Sequence, residues 1–389
     1  MWQRDPITLN SDSPPTSNRT LLSRSPFNTT MTSLPTSQPS PTLPSVQEWK
    51  KIIADYTRPS AGRAIWQLVN TFVPFVGLWV LMAWSLSGPY WITLLLATLA
   101  ALLTVRVFII FHDCGHGSFF KSKRANDIVG FFTGMLTFTP YVHWRWEHAI
   151  HHASCGDLDR RGTGDIWTMT ISEYLAAPKW KRLVYRLVRN PIMLFVLAPL
   201  VVFVGYQRFS NKTATWRERK SVYAMNVALA LMVGLGCWLL GWKGYLAIQL
   251  PITMISGSLG IWMFYVQHQF EDVYWEEHGE WDFTSAALLG SSFYKLPKIL
   301  QWFTGNIGFH HIHHLSPRIP NYLLEACHKS HEIFTSVQPI TFWSSLKTIG
   351  HRFYDEGQKK LVGYKRLREV RREMRHAAAL ERTAQSHST

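Results

Sequence analysis

Histidines at helical spacing are the residues of this sequence best suited to chemistry. His112 and His116 lie four residues apart, so on a helix they share one face. His148, His151 and His152 stand at positions i, i+3 and i+4, which also places them on a single helical face. Imidazoles grouped in this way are suitable metal ligands. For the first pair alone, a purely structural role is an equally good interpretation.

A third cluster repeats the pattern of the second. His310, His313 and His314 have the same spacing, whereas His311 points to another side of the same predicted helix and is expected to be a packing or outer residue. His268 stands alone just beyond a long apolar run. Its place at the end of that run, on the side of the clusters, indicates a further ligand.

Together the clusters predict a centre with nine imidazoles, which is too many for one ion and suits two. The predicted ligands are His112, His116, His148, His151, His152, His268, His310, His313 and His314. Imidazole binds Zn, Cu, Fe and Ni, so the ligand type leaves the metal open. Metal-bound histidines usually donate their other N–H to a carboxylate or carbonyl. The nearby candidates are Asp113, Glu147, Asp157, Asp159, Asp165, Glu271 and Asp272, although the segment 156–165 could also be only a charged loop.

Four apolar runs are long enough to position these clusters at a membrane surface. Residues 65–86, 89–110, 222–242 and 245–266 each approach the ~20 residues that a membrane-spanning helix needs. Very short links join the first run to the second and the third to the fourth. The sequence therefore predicts four transmembrane helices arranged as two hairpins.

A fifth apolar stretch, 191–206, is short for a span and has Arg189 before it and Arg208 after it. Basic residues mark cytoplasmic segments, so both its ends are predicted to be cytoplasmic and the stretch to be re-entrant or interfacial. With four spans, all histidine clusters lie on one face of the membrane. A fifth crossing would separate them. The metal site is therefore predicted on the cytoplasmic face of a multi-pass membrane protein.

Composition agrees with a membrane protein. Hydrophobic residues make up 47% of the chain and charged residues 17%, with 18 Trp and a net charge of +15. The segregated positive charge fits anionic lipid and an acidic partner protein better than nucleic acid. Residues 1–45 are predicted to be a disordered Ser/Thr/Pro-rich tail, with an organelle transit peptide as the alternative. Residues 346–389 form a basic C-terminal tail, either solvated or in contact with lipid headgroups.

The histidine clusters and their flanks resemble the histidine boxes of membrane-bound fatty acid desaturases. The matching segments are HDCGHGSFFKSKRAND, HHASCGDLDRRGTGDIW, FYVQHQFED and GSSFYKLPKILQWFTGNIGFHHIHHLSPRIPNY, within a membrane domain at 46–345. Bacterial acyl-lipid enzymes of the Delta-5 and Delta-12 types are the most similar. The resemblance implies an all-α integral membrane fold, with four transmembrane helices and a cytosolic helical cap that holds a di-iron site.

The resemblance also implies a reaction. Two Fe ions would be bound by the nine histidines, O2 would be the co-substrate, and a cis double bond would be introduced into a lipid acyl chain. In the animal acyl-CoA enzymes an Asn four residues before the single extra histidine reaches iron through water. Phe264 occupies that position here, and Asn306 is a candidate substitute. No cytochrome b5 motif occurs, so electrons are expected from ferredoxin, flavodoxin or cytochrome b5.

Two other functions stay open at the level of sequence. A lipid hydroxylase or ketolase uses the same scaffold and differs only in its product. A non-catalytic metal-binding or metal-transporting membrane protein is the second alternative, although transporters place ionisable residues near the middle of their spans. The position of the double bond, the form of the acyl substrate and its membrane, whether bacterial inner membrane or organelle, are not encoded in any motif.

Overall fold

The computed structural model describes residues 46–386, and most of them are helical. The predicted disordered tail, 1–45, lies outside these residues. The helices are α1 (Val46–Ile53), α2 (Ala61–Ser85), α3 (Tyr90–His116), α4 (Lys123–Leu136), α5 (Tyr141–Ser154), α6 (Ile171–Ala176), α7 (Lys179–Val188), α8 (Trp216–His268), α9 (Phe283–Leu289), α10 (Lys298–Phe303), α11 (His310–Leu315), α12 (Asn321–His328), α13 (Glu332–Thr335), α14 (Phe342–Ser345) and α15 (Tyr364–Ser386). Short 3-10 helices cover Ala54–Thr57, Tyr206–Arg208 and Leu346–Gly350.

Five short strands also occur, which the all-α prediction did not include. They are β1 (Met169–Thr170), β2 (Phe293–Lys295), β3 (Pro339–Thr341), β4 (Phe353–Asp355) and β5 (Lys360–Val362). β4 pairs in parallel with β1 and antiparallel with β5, and β2 pairs in parallel with β3. The β1–β4 and β2–β3 pairs join segments that are distant in sequence, whereas β4 and β5 form a local pair.

Within residues 46–386, three helices, α2, α3 and α8, are long and apolar enough to cross a membrane. α2 and α3 are joined by a short link and remain side by side, because Ser85 and Thr93 are 2.8 Å apart across the link and Arg106 Nε donates to Thr71 Oγ1. A bent pair of helical segments, Lys179–Val188 with Met193–Arg208, would make a fourth candidate if it is counted as one span.

The 53-residue α8 is two helices that meet at Gly241, whose φ of 70° and ψ of 150° are not helical. Glycine tolerates a positive φ without the steric penalty that a Cβ would add. The two halves fold back on each other. Ser221 in the first half accepts from Val142 N of the 14-residue α5, and His268 at the end of the second half contacts His151 of the same helix.

The stretch predicted to be re-entrant or interfacial forms two π-helical turns, Met193–Leu197 and Leu200–Gly205. Both of its flanks contact regions of α8 that are remote from Gly241. Arg189 bonds to Tyr265 and Gln269, and Arg208 bonds to Asn226. Its middle packs against Gly257, where there is no side chain to hold it away.

Close packing of α3, α4 and α5 brings the first two histidine clusters together. Gly117 ends α3 directly after His116, with a φ of 68°. Tyr141 at the start of α5 donates to Cys114 O at 2.6 Å and packs against Gly130 of α4. A Cβ on Gly130 would lie 2.2 Å from the Tyr141 ring, so only glycine fits there.

We expect Gly130→Ala to lower the thermal unfolding temperature of the detergent-solubilised protein. Overpacking of this kind typically costs about 1–3 kcal/mol. Gly77→Ala in α2 is the matched control, because no heavy atom lies within 4 Å of the added Cβ and alanine favours the helix. Equal unfolding temperatures for Gly130→Ala and the unchanged chain would contradict the tight α4–α5 contact.

Candidate metal centre

The structure brings all nine sequence-predicted histidines to one buried region at the ends of four helices. His112 and His116 occupy the last turns of α3, and His268 ends α8. The second cluster lies on α5 and the third on the six-residue α11. Helical spacing within each cluster points its side chains the same way, so four short segments suffice to supply the whole set.

The histidines form two adjacent groups. One ring nitrogen from each of His112, His116, His148, His152 and His313 lies within 4.8 Å of the others. The second group contains His151, His268 and His314 together with Cys155. His310 extends it, since its Nε2 is 3.0 Å from that of His268. The two groups are in contact where the rings of His152 and His314 stack at 4.2 Å.

Nitrogen–nitrogen distances in both groups fit metal coordination. The Nε2 atoms of His148 and His152 are 3.2 Å apart, and those of His152 and His313 are 3.0 Å apart. Two imidazoles bound at right angles to one ion, with bonds of ~2.1 Å, place their nitrogens about 3.0 Å apart. His116 Nε2 and His314 Nε2 are buried and have no hydrogen-bond partner among the described residues. Buried polar atoms normally have partners, so these lone pairs suit a metal.

Burial favours the neutral form of several of these histidines. Burial, followed by repulsion from neighbouring imidazoles, lowers the pKa of His148, His152, His310, His313 and His314 well below the usual value. A neutral imidazole has a free lone pair, which is the form that binds a metal ion. These five histidines can therefore bind metal at neutral pH without first losing protons.

Two carboxylates hold ligand rings in place. Asp165 Oδ1 lies 2.6 Å from His151 Nδ1, and Asp113 Oδ1 lies 3.2 Å from His112 Nδ1. Asp113 is itself fixed by Asn321, whose backbone N and side-chain Nδ2 both donate to Asp113 Oδ2. Such partners orient the ring and raise its basicity. Asn321 starts α12, and nothing in its sequence context indicates this role.

Asp157, Asp159 and Asn306, which the sequence also suggests as residues that support the ligands, form their hydrogen bonds with other residues. Asp157 bonds to His278 Nδ1 and to Arg160, and Asp159 accepts from His278 N, because the chain turns tightly after Gly156. Asn306 has a positive φ of 57° and donates to Asn321 O. A ligand-supporting role for these three therefore remains a prediction. His311, expected to be outside the site, contacts His328 instead.

Cys155 is the residue next to the centre that sequence reasoning missed. Its Sγ lies 3.5 Å from His268 Nδ1, on the ring edge opposite the Nε2 atom that meets His151 and His310. Burial raises the pKa of its thiol, which favours the neutral form over the thiolate that binds metals. We interpret Cys155 as an outer neighbour of His268. The only available signal was its position just after the second cluster.

A cavity of about 590 Å³ reaches the second histidine group. His268 and Phe264 are among its lining residues, and Ile166, Trp167 and Met169 add apolar walls. The charged residues of the lining are Asp157, Arg161, Asp165, Glu173 and Lys181. The Phe264 ring packs against His151 and His268, with centroids 5.2 and 5.0 Å away. The volume lies within the range of small-molecule pockets. A mainly apolar ligand in this cavity would therefore lie directly beside the centre.

Comparison with known proteins relates this chain to desaturases. Residues 89–344 match the sequence pattern of the family described as fatty acid desaturase. The chain is 49% identical over 320 residues to a fatty acid desaturase of Bacillus subtilis, which covers 82% of this chain and 91% of that protein. It is 27% identical to the sn-1 acyl-lipid omega-3 desaturase (ferredoxin) of Synechocystis sp., over 72% of this chain and 78% of that protein. An sn-1 oleoyl-lipid 12-desaturase from the same genus is 26% identical, over 57% and 63%.

We expect Asp165→Ala to weaken metal binding by about 10- to 100-fold, because loss of an outer partner leaves the His151 ring without its orienting acceptor. Metal content after equilibrium dialysis of the purified protein against buffered Fe(II) measures the change. Asp159→Ala is the matched control, since Asp159 is exposed in the same loop and contacts no predicted ligand. Equal metal content in both variants would contradict the assigned role of Asp165.

Proposed function

The chain belongs to the fatty acid desaturase family and is therefore an oxidoreductase, and from this premise we propose that it is an O2-dependent acyl-lipid desaturase that introduces a cis double bond. The observation that carries the proposal is the meeting of nine buried or half-buried, mutually facing histidines in two groups. In this reaction the acyl chain loses two hydrogens, a separate carrier supplies two electrons, and O2 leaves as two waters after taking up two protons.

Two irons are the proposed metals, one in each histidine group. Neutral imidazoles suit iron, and two adjacent groups match two ions. When bound, the irons would supply the oxidising power that removes hydrogen from an unactivated acyl chain. The chain's own residues bind and orient: Asp113 and Asp165 fix His112 and His151. This division is typical of enzymes in which the cofactor performs the difficult chemistry.

The cavity beside His268 is the proposed acyl site. Its apolar walls would exclude water and hold a flexible chain in one conformation, and such positioning strongly affects rate. Phe264 places an aromatic surface against His151 and His268 where the animal enzymes have an amide. Phe264 therefore adds an apolar surface to the wall beside these ligands.

We propose four membrane spans in two hairpins: α2 with α3, and the two halves of α8. The hairpin turns carry one cation, Lys243, whereas cations are abundant near the histidine ends, which supports a cytoplasmic metal site. α9–α14 and the loops between them would form the cytosolic cap. The contacts of Arg189 and Arg208 support a re-entrant path for 191–206 rather than a crossing.

An acyl chain esterified to a glycerolipid is the proposed substrate, because the Synechocystis relatives are named as acyl-lipid and oleoyl-lipid enzymes. Ferredoxin appears in the name of one relative, and ferredoxin, flavodoxin or cytochrome b5 is the proposed electron carrier here. Such carriers are usually acidic, so the basic surface would attract them in a salt-dependent way. A bacterial inner membrane or an organelle membrane would both suit this arrangement.

Fatty acid analysis of a host that lacks such an enzyme, with and without this gene, tests the proposal. We expect a new unsaturated fatty acid, because the complete centre and an acyl cavity are present. Mass spectrometry of derivatives that mark double bonds gives their position. His151→Ala and His313→Ala should abolish the product while leaving the protein in the membrane, since each removes a ligand from a different group.

The controls separate the alternatives. A hydroxylated or keto acid in place of an alkene would identify the hydroxylase or ketolase alternative. Near-normal conversion by both histidine variants would contradict the nine-ligand assignment. If the host yields no product, purified protein with Fe(II), O2 and a chemical reductant removes any dependence on the carrier, and inactivity there would contradict desaturation.

A further inference from the structure

Helix α7 presents an apolar stripe that no described part of the chain covers. The stripe consists of Trp180, Leu183, Val184, Leu187 and Val188, at the i, i+3, i+4 spacing of one helical face. Trp180 is 67% exposed and Leu183 is 58% exposed. Large apolar side chains gathered on one exposed face mark an interaction surface rather than an ordinary solvated helix.

The opposite side of α7 is fixed to the protein. Tyr185 is fully buried, donates to Arg352 O and accepts from Met169 N at 3.2 Å. Tyr185 also packs against Tyr174 and Phe353. The helix therefore cannot rotate to bury its stripe without losing this anchor, and the stripe is a permanent outward surface.

Cations border the stripe on both sides, and α7 contains no acidic residue. At 100° per residue, Lys179, Arg182 and Arg186 fall on one flank and Lys181 on the other. Arg182 and Arg186 donate to Ala177 O and Tyr174 OH, so their charges are not neutralised by a carboxylate. Within residues 46–386, Lys179 and Lys181 have no ion-pair partner.

An apolar stripe between two cationic flanks matches the surface of an anionic bilayer. Helices of this kind lie in the membrane plane, with the stripe among the acyl chains and the cations at headgroup level. An acidic protein would be attracted by the cations but would leave the stripe exposed. The chain continues after α7 into further exposed apolar residues, including Ile192, Val196 and Val201. The lipid-facing surface is therefore continuous beyond the helix.

Lys181 connects this surface to the proposed acyl site. It lines the 590 Å³ cavity together with Pro178 and Ala177, whereas His268 and Phe264 line the same cavity beside the histidine centre. Lys179 lies on the opposite flank of α7 and does not line the cavity. Arg161 also lines the cavity but is paired with Glu173, so among the described residues Lys181 is the lining cation without a carboxylate partner. It is placed where a lipid headgroup would lie when its acyl chain extends towards the histidines.

We propose that α7 lies in the membrane surface and binds anionic phospholipid headgroups, and that Lys181 holds the phosphate of an anionic glycerolipid at the mouth of the cavity. The protein then acts preferentially on acyl chains carried by anionic lipids. The substrate preference rests on the proposed desaturase function. The binding of anionic lipid by α7 does not require catalysis.

The test uses the purified full chain in vesicles of equal parts phosphatidylglycerol and phosphatidylcholine with distinguishable acyl chains, supplied with Fe(II), O2 and a chemical reductant. Two ratios of phosphatidylglycerol to phosphatidylcholine are measured by mass spectrometry. One is among the lipids retained by the protein after mild detergent extraction, and the other is among the desaturated products. Both ratios should exceed one for the unchanged chain.

Lys181→Gln should lower both ratios, the product ratio by about fivefold, which is the effect of one lysine near an anionic surface. Lys179→Gln should lower the retained-lipid ratio and leave the product ratio near that of the unchanged chain, because Lys179 is on the flank away from the cavity. Lys51→Gln in α1 removes the same charge from another exposed position and should change neither ratio.

Each outcome decides between the two proposals. Product formation without any phosphatidylglycerol preference, or a product ratio unchanged by Lys181→Gln, overturns the headgroup inference and leaves the desaturase function standing. Retention of phosphatidylglycerol that depends on Lys181, without product on either lipid, supports the lipid surface and overturns the proposed function. High salt should reduce the retained-lipid ratio, since surface charges are screened.

Discussion

The convergence of nine buried or half-buried imidazoles whose ring nitrogens face one another is the constraint on which the rest of the structure depends. A buried polar atom without a partner costs about 1–3 kcal/mol, and this centre contains several. Such an arrangement persists only if the surrounding helices are held firmly. Gly117 ends α3 just beyond His116, the Tyr141–Gly130 contact sets the approach of α5, and Asp113 is fixed by Asn321. A metal ion would satisfy the converging lone pairs and repay the strain that apposed imidazoles create.

Much of this centre is predictable from sequence because its pattern is local. Side chains at i, i+3 and i+4 share a helical face wherever the helix lies, so the ligand sets on α5 and α11 follow from spacing. Which carboxylates hydrogen-bond to these histidines depends instead on the path of the loops. Asp157, Asp159 and Asp165 are alike in sequence, yet of the three only Asp165 bonds to a predicted ligand, whereas a tight turn directs the other two to His278, outside the centre.

In the fold, too, features set by neighbouring residues can be predicted from sequence, whereas contacts between residues that are far apart in sequence cannot. Apolar runs predict helices of sufficient length, and the four predicted spans fall on α2, α3 and α8. The pairing of β1 with β4 and of β2 with β3 depends on residues that are far apart in sequence, and strands of two or three residues have no detectable period. Asn321 illustrates the point at the centre itself: it reaches Asp113 only because α12 packs against the end of α3.

The relation between the cavity and the membrane surface determines how such a protein can select a carbon atom. If the headgroup is held near Lys181 and the histidines are fixed beside His268, the distance between them sets which carbon is oxidised. The position of the double bond is then fixed relative to the carboxyl end of the acyl chain. A closed end of the cavity that held the methyl group would instead fix the position of the double bond relative to the methyl end. The two geometries respond differently to chain length: the first keeps the double bond at a constant distance from the ester, and the second moves it as the chain grows. Because α7 is anchored through Tyr185 to the same elements that line the cavity, the first geometry has a rigid reference point in this chain.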